Sequence, residues 1–213
     1  MTKFTESIKL LMENPLSLAA IVIVLLLILF AISTKQIKFT PLLMTQIALS
    51  VAISAILELI VLFKFPQGGS VTLASMLPII IMAYTHGPQI GILTGFLVGV
   101  INLFMGPTII HPLQTLLDYP LPYMLVGASG YIKNNRYTGA IFGTVLRLFM
   151  HILSGVIFFA QYAPEDMQSG FRLWQYSAVY NGSFLAIELL ILLVIMAIIP
   201  WDRLTKELSR NTR

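Results

Sequence analysis

GPTIIHPLQTLLDYP, residues 106–120, interrupts a chain that is otherwise almost uniformly apolar. It holds three prolines, His111, Gln114, two threonines and one carboxylate, Asp118. The segments on either side, 89–105 and 121–132, carry no charge at all. A carboxylate flanked by apolar runs of that kind is expensive in a bilayer unless something pairs with it. The stretch therefore reads as an irregular, polar entry into a membrane helix, and the rest of the chain as the helical frame that holds it.

Composition agrees. The 213 residues are 57% hydrophobic and 10% charged, with mean hydropathy +0.88, where a soluble domain carries about 25% charge. This describes a polytopic, all-α membrane protein. With no cysteine there is no disulfide, thiolate metal site or cysteine nucleophile. His86, His111 and His151 are scattered without metal-ligand spacing. The net charge of +4 comes from basic residues placed singly in short loops, a topological signal rather than a nucleic-acid surface.

Residues 1–14 are polar and charge-balanced, and Pro15 opens an apolar run, 16–33, of about the length needed to span a bilayer. It is read as a retained transmembrane helix followed by a basic flank at Lys35 and Lys38. Six further helices are expected: 41–63, 73–84, 89–105, 113–131, 138–162 and 174–199. Pro120 and Pro122 predict a kink or irregular start in the fourth. Small residues four apart, Ala48 and Ala52 in the first and Gly91, Gly95 and Gly99 in the third, predict faces where another backbone approaches closely. Residues 64–72 read as a turn-rich loop. The organisation expected is an amphipathic N-terminus with an extra transmembrane helix (1–40), a six-helix substrate-binding core (41–200) and a basic cytoplasmic tail (201–213).

Positive charge marks the cytoplasmic side. Placing the tail inside and counting back puts the loops 64–72, 106–112 and 163–172 outside, with the N-terminus outside as well. Three polar loops then gather over the outer membrane half. Asp118 lies just inside the fourth helix, and His151 about 15 Å below the outer end of the fifth. Tyr176 and Asn181 enter the sixth from the same side. These offer an acceptor-only carboxylate, an imidazole, an amide and aromatic rings, a set suited to a cationic, ring-containing ligand. Other readings stand beside this one. Asp118 and His151 also fit an intramembrane structural pair, Tyr119 an interfacial aromatic, Arg147 and Glu188 a structural or partner-facing pair, and Glu58 a residue reaching the interface.

Four motifs carry a resemblance: FPQGGSVTL (65–73), HPLQTLLDY (111–119), HILSGVIFFAQYAP (151–164) and YSAVYNG (176–182). Over residues 41–200 the chain resembles the thiamine-specific substrate-binding components of energy-coupling factor transporters. The resemblance implies a six-helix, non-enzymatic subunit of the bacterial cytoplasmic membrane that binds thiamine from outside with high affinity and needs no cofactor of its own. It implies partners: a transmembrane coupling protein, docking at Ala48 and Ala52, and two ATPases that use ATP. It implies thiamine-binding roles for Asp118, Tyr119, His151, Tyr176 and Asn181, with Gln114 and Phe159 as further lining residues. The loop bearing Gln67, Gly68, Gly69 and Ser70 would act as a lid. Two positions depart from the pattern: Asp118 where relatives often have Glu, and Phe159 where Trp occurs. No GxxxxGK[ST] phosphate loop occurs in the chain. The competing functions are a binding component for another cationic heterocycle or a thiamine precursor, a proton-coupled carrier, and an intramembrane hydrolase built on Asp118 and His151. Against the last, the sequence places no second carboxylate at matching depth.

Overall fold

The computed structural model describes residues 3–33, 38–66 and 69–210, and these are almost wholly helical. Among the described residues, three helices are by themselves long and apolar enough to cross a membrane: α3 (Pro41–Leu59), α8 (Arg136–Phe158) and α9 (Gly170–Ile198). Before them, α1 (Lys3–Glu13) and α2 (Pro15–Ser33) form one bent unit with a 92° corner. Between α3 and α8 lie four shorter helices, α4 (Leu77–His86), α5 (Pro88–Asn102), α6 (Pro112–Asp118) and α7 (Pro120–Gly127). The chain ends in α10 (Trp201–Arg210).

Local chemistry sets the ends of these elements. Thr40 caps α3 by accepting from the Leu43 amide at 3.2 Å, with Pro41 in the first turn where its missing N–H is no loss. Asn135 caps α8 by accepting from the Tyr137 and Thr138 amides. Gly87, at φ +95°, makes the sharp turn between α4 and α5.

The glycine face of α5 is a backbone-to-backbone seam. A Cβ at Gly95 would stand 2.0 Å from the Tyr123 carbonyl oxygen, one at Gly99 2.5 Å from that of Tyr119, and one at Gly91 2.8 Å from that of Gly127. Gly127 reciprocates, its Cβ position lying 2.2 Å from the Gly91 carbonyl carbon. The spacing of four along one helix thus brings α7 against α5 along its whole length.

Four expectations are corrected. The first core helix stops at Leu59 rather than residue 63. The chain then forms a hairpin of β1 (Val61–Lys64) and β2 (Ser70–Thr72), which pair antiparallel with Lys64 opposite Ser70. β1 is exposed throughout, so its apolar run resembles a helix continuation in sequence. The following helix begins at Leu77, not at residue 73. The fourth expected helix is two helices, broken at Tyr119 where ψ is −81°, with Pro120 opening the second. Residues 201–210, expected as a tail, form an amphipathic helix. Trp201 packs edge-on against Tyr84 at 5.7 Å, Asp202 lies 3.7 Å from Arg136, and the Leu208 carbonyl accepts from Gln46 Nε2 at 3.2 Å. Of the expected basic flank, Lys35 lies outside the described residues.

The ends of the frame differ. At one end Tyr84, Asn135, Arg136 and Trp201 meet. At the other, the hairpin, the 103–111 segment and the 159–169 connection converge over a cavity.

Candidate functional site

The cavity holds about 240 Å³ and is lined by residues from most of the core helices and from the hairpin. Glu58 comes from the end of α3, Gly69 and Ser70 from the hairpin, Thr108 from the segment before α6, and Asp118 and Tyr119 from the α6–α7 break. Arg147, His151, Gly155 and Phe159 come from α8 and its end, and Tyr176, Ser177, Tyr180, Asn181 and Phe184 from α9.

The break at Tyr119 is what turns Asp118 into the cavity wall. Gly106, at φ +97°, opens the segment with a backbone conformation that suits glycine. His111 then caps α6 through Nδ1, which accepts from the Leu113 amide at 3.1 Å, and its ring stacks on Phe158 at 5.2 Å. Gln114, fully buried, ties the segment together. Its Nε2 donates to Asp118 Oδ2 at 2.6 Å and to the Thr108 carbonyl at 3.0 Å, while Oε1 accepts from the Ile110 amide at 3.2 Å. The Thr108 amide donates to the Tyr119 hydroxyl at 2.7 Å. One carboxylate oxygen is thereby fixed. The other, Oδ1, lies 3.7 Å from His151 Nδ1, longer than a hydrogen bond.

Opposite, α9 presents an aromatic stripe at a spacing of four. Tyr176 and Tyr180 stack at 6.3 Å, Tyr180 meets Phe184 edge-on at 6.3 Å, and His151 meets Phe184 at 6.2 Å. The Tyr176 hydroxyl donates to the Tyr162 carbonyl at 3.0 Å, closing α9 against the 160–162 turn. Asn181 Nδ2 donates to the Ser177 carbonyl at 2.9 Å, which holds the amide plane along the helix. The hairpin sits directly over this stripe: a Cβ at Gly69 would be 2.6 Å from the Phe184 ring.

Beneath lies an ionic floor. Arg147 Nη1 pairs with Glu188 Oε2 at 3.2 Å, both side chains almost fully buried, and the guanidinium lies 4.5 Å over the Tyr123 ring. The Thr72 and Ser75 hydroxyls donate to Glu188 Oε1. Glu188 therefore anchors the foot of the hairpin as well as pairing Arg147. Arg147 pairs directly with Glu188, while Glu58 and Asp118 add two further carboxylates to the cavity, neither with a lysine or arginine in ion-pair contact among the described residues. Three buried polar atoms on lining residues, Glu58 Oε2, Arg147 Nε and His151 Nε2, have no hydrogen-bond partner among the described residues. Burying such groups unpaired costs about 1–3 kcal/mol each, so the site is built to be completed by a polar ligand or water.

Of the candidate residues, Asp118, Tyr119, His151, Phe159, Tyr176 and Asn181 line this one cavity. Gln114 stands behind the wall and holds Asp118. Gly69 and Ser70 line it, whereas Gln67 and Gly68 lie outside the described residues. Ala48 and Ala52 are far from it, on an exposed face of α3 with Leu49, Ile53 and Ile56. Sequence reasoning missed Glu58, Tyr180 and Phe184. The signal for the last two was present in the recurrence at 176, 180 and 184. Glu58, expected to reach the interface, lines the cavity, so a second carboxylate is present there and its supposed absence no longer argues against hydrolytic chemistry.

The sequence model of the thiamine transporter protein family (Thia_YuaJ) matches residues 44–207. The thiamine transporter ThiT of Bacillus subtilis is 28% identical over 173 residues, covering 72% of this chain and 88% of that protein. ThiT of Lacticaseibacillus paracasei is 28% identical over 144 residues, covering 58% of this chain and 70% of that protein. The solved structure of ThiT from Listeria monocytogenes superposes with a TM-score of 0.63 at 24% identity, covering 76% of this chain and 96% of that one, and speaks for the shared fold.

Proposed function

The chain belongs to the thiamine transporter protein family, and from that premise we propose that it is the thiamine-binding, membrane-embedded subunit of an energy-coupling factor importer. The observation that carries the reading is the cavity itself: an aromatic-walled pocket that gathers two carboxylates, Asp118 and Glu58, neither with a lysine or arginine in ion-pair contact among the described residues.

Thiamine is a cation with two flat rings. Tyr119, Phe159, Tyr176 and Tyr180 supply faces for stacking and for cation–π contact. Asp118 Oδ1 compensates the ligand's charge and accepts from its ring amine. His151 and Asn181 meet the edge of the aminopyrimidine, His151 through an Nε2 that has no partner among the described residues. Such charge-assisted bonds are strong in a desolvated pocket. The hairpin acts as a lid, held at its foot by the Thr72–Glu188 bond and resting at Gly69 on Phe184.

The cavity end of the frame faces outside and the Tyr84–Trp201 end faces the cytoplasm of a bacterial cell. The six spans are α3, α4, α5, the α6–α7 pair, α8 and α9, with α2 as the additional one. The subunit binds thiamine with high affinity and performs no chemistry. ATP is hydrolysed by two separate ATPases, and the exposed Ala48–Ala52 face of α3 docks the coupling protein, whose helices approach closely over small residues.

Competition titration tests the substrate. Thiamine should displace its free pyrimidine half and unrelated cations from the purified chain. Tighter binding of the pyrimidine or of another cationic heterocycle would assign the subunit to that ligand instead. The shorter carboxylate at Asp118 and the Phe159 wall make this comparison the informative one. Steady turnover of thiamine by the isolated chain would revive the hydrolase, and uptake without ATPase partners that collapses with the proton gradient would revive the carrier.

A further inference from the structure

Resting on that reading, we propose that α1 and α2 form a strap that holds the 106–118 wall of the pocket in its ligand-binding shape, with Ser7, Ser17 and Thr115 as positioning residues. Both helices lie outside the stretch, 44–207, that the family model matches. They are not a separate appendage. Leu11, Ile21 and Ile28 are buried in the same apolar cluster as Leu93, Phe96, Leu103 and Ile109. The 92° corner at Asn14 lets α1 run crosswise while α2 lies along α5 and α6. Asn14 Nδ2 donates to the Leu10 carbonyl at 2.9 Å, and its own carbonyl accepts from the Ser17 amide at 2.9 Å, which fixes the corner. The charged residues Lys9 and Glu13 face away, both exposed.

Two polar contacts then reach the pocket wall, and both serines are fully buried. The Gly106 amide donates to Ser7 Oγ at 3.3 Å, at the left-handed residue where the segment begins. Ser17 Oγ and Thr115 Oγ1 share a hydrogen bond at 3.4 Å. Gly106 is two residues from Thr108, which lines the cavity, holds the Tyr119 hydroxyl and accepts from Gln114. Thr115 is next to Gln114, which holds Asp118. The strap therefore grips the segment at both ends of the network that orients the pocket carboxylate, without touching ligand itself.

The experiment compares the full chain with Ser7→Ala, Ser17→Ala, Ser17→Thr and a chain beginning at Lys38, all in lipid nanodiscs. Two readouts are taken: amide exchange of residues 106–111 without ligand, and thiamine association and dissociation rates. The strap predicts exchange and dissociation each roughly tenfold faster in the two alanine variants, association changed much less, and recovery in Ser17→Thr, since weakened preorganisation acts mainly on off-rate. Unchanged exchange at 106–111 together with unchanged dissociation in both alanine variants overturns it. The point variants decide if the shortened chain fails to fold. If the parent binds no thiamine, the functional reading falls, and the exchange data alone support or overturn the strap.

Discussion

Replacing Asp118 with Asn removes one charge from the pocket and little else. The side chain keeps its size, and its amide oxygen still accepts from Gln114 Nε2, which holds Oδ2 at 2.6 Å in the parent. What disappears is the anionic Oδ1, the oxygen that stands beyond bonding distance of His151 and is left for the ligand. A hydrogen bond to a charged group contributes about 1.5–3 kcal/mol, so thiamine should dissociate from the variant with a Kd raised about tenfold to a hundredfold. The Asp118 side chain is 19% exposed, which places the site away from bulk water and argues against the lower surface values. Calorimetric titration of purified parent and variant measures this directly, and Asp118→Glu, which restores the charge, should recover most of the affinity. Equal Kd values for parent and Asp118→Asn would refute the assignment of the carboxylate to the ligand.

Arg147→Met leaves Glu188 buried without its partner, a loss of about 3–5 kcal/mol, and the thermal midpoint in detergent should fall sharply, with Arg147→Met/Glu188→Leu recovering part of it. Gly95→Val places side-chain atoms where a Cβ alone would stand 2.0 Å from the Tyr123 carbonyl oxygen. It should separate α5 from α7 and cost about 1–3 kcal/mol or more, read as lost thermal stability. Gly69→Val forces its side chain into the Phe184 ring and should speed thiamine release in stopped-flow measurements while leaving the thermal midpoint near that of the parent.

The legible parts were those where physical cost leaves a mark in the sequence. A carboxylate among apolar residues at 118, prolines at 120 and 122, and glycines four apart at 91, 95 and 99 each announce a constraint, and each sits in the structure where that constraint operates. What escaped carried a weaker mark or none. The β1 residues Val61 to Phe63 continue the apolar run of α3, and only pairing with residues 70–72 distinguishes strand from helix. Glu58 lies near the end of α3, where a carboxylate is ordinarily unremarked, and becomes a pocket residue because α8 and α7 bring Arg147 and Tyr123 to the same cavity. Gln114 was legible as a neighbour of Asp118 one turn away, but whether it faced ligand or braced the carboxylate depended on the turn at Tyr119. α10 follows Pro200, is itself rich in charged residues and reads as a tail, although Trp201, Leu204 and Leu208 recur at helical spacing.

Equilibrium titration of the purified chain alone with thiamine, in the absence of any coupling or ATPase subunit, tests the central claim most directly. Saturable binding of one thiamine per chain is expected, tight enough to survive without partners and weakened by Asp118→Asn. A folded parent chain that shows no saturable thiamine binding would contradict it.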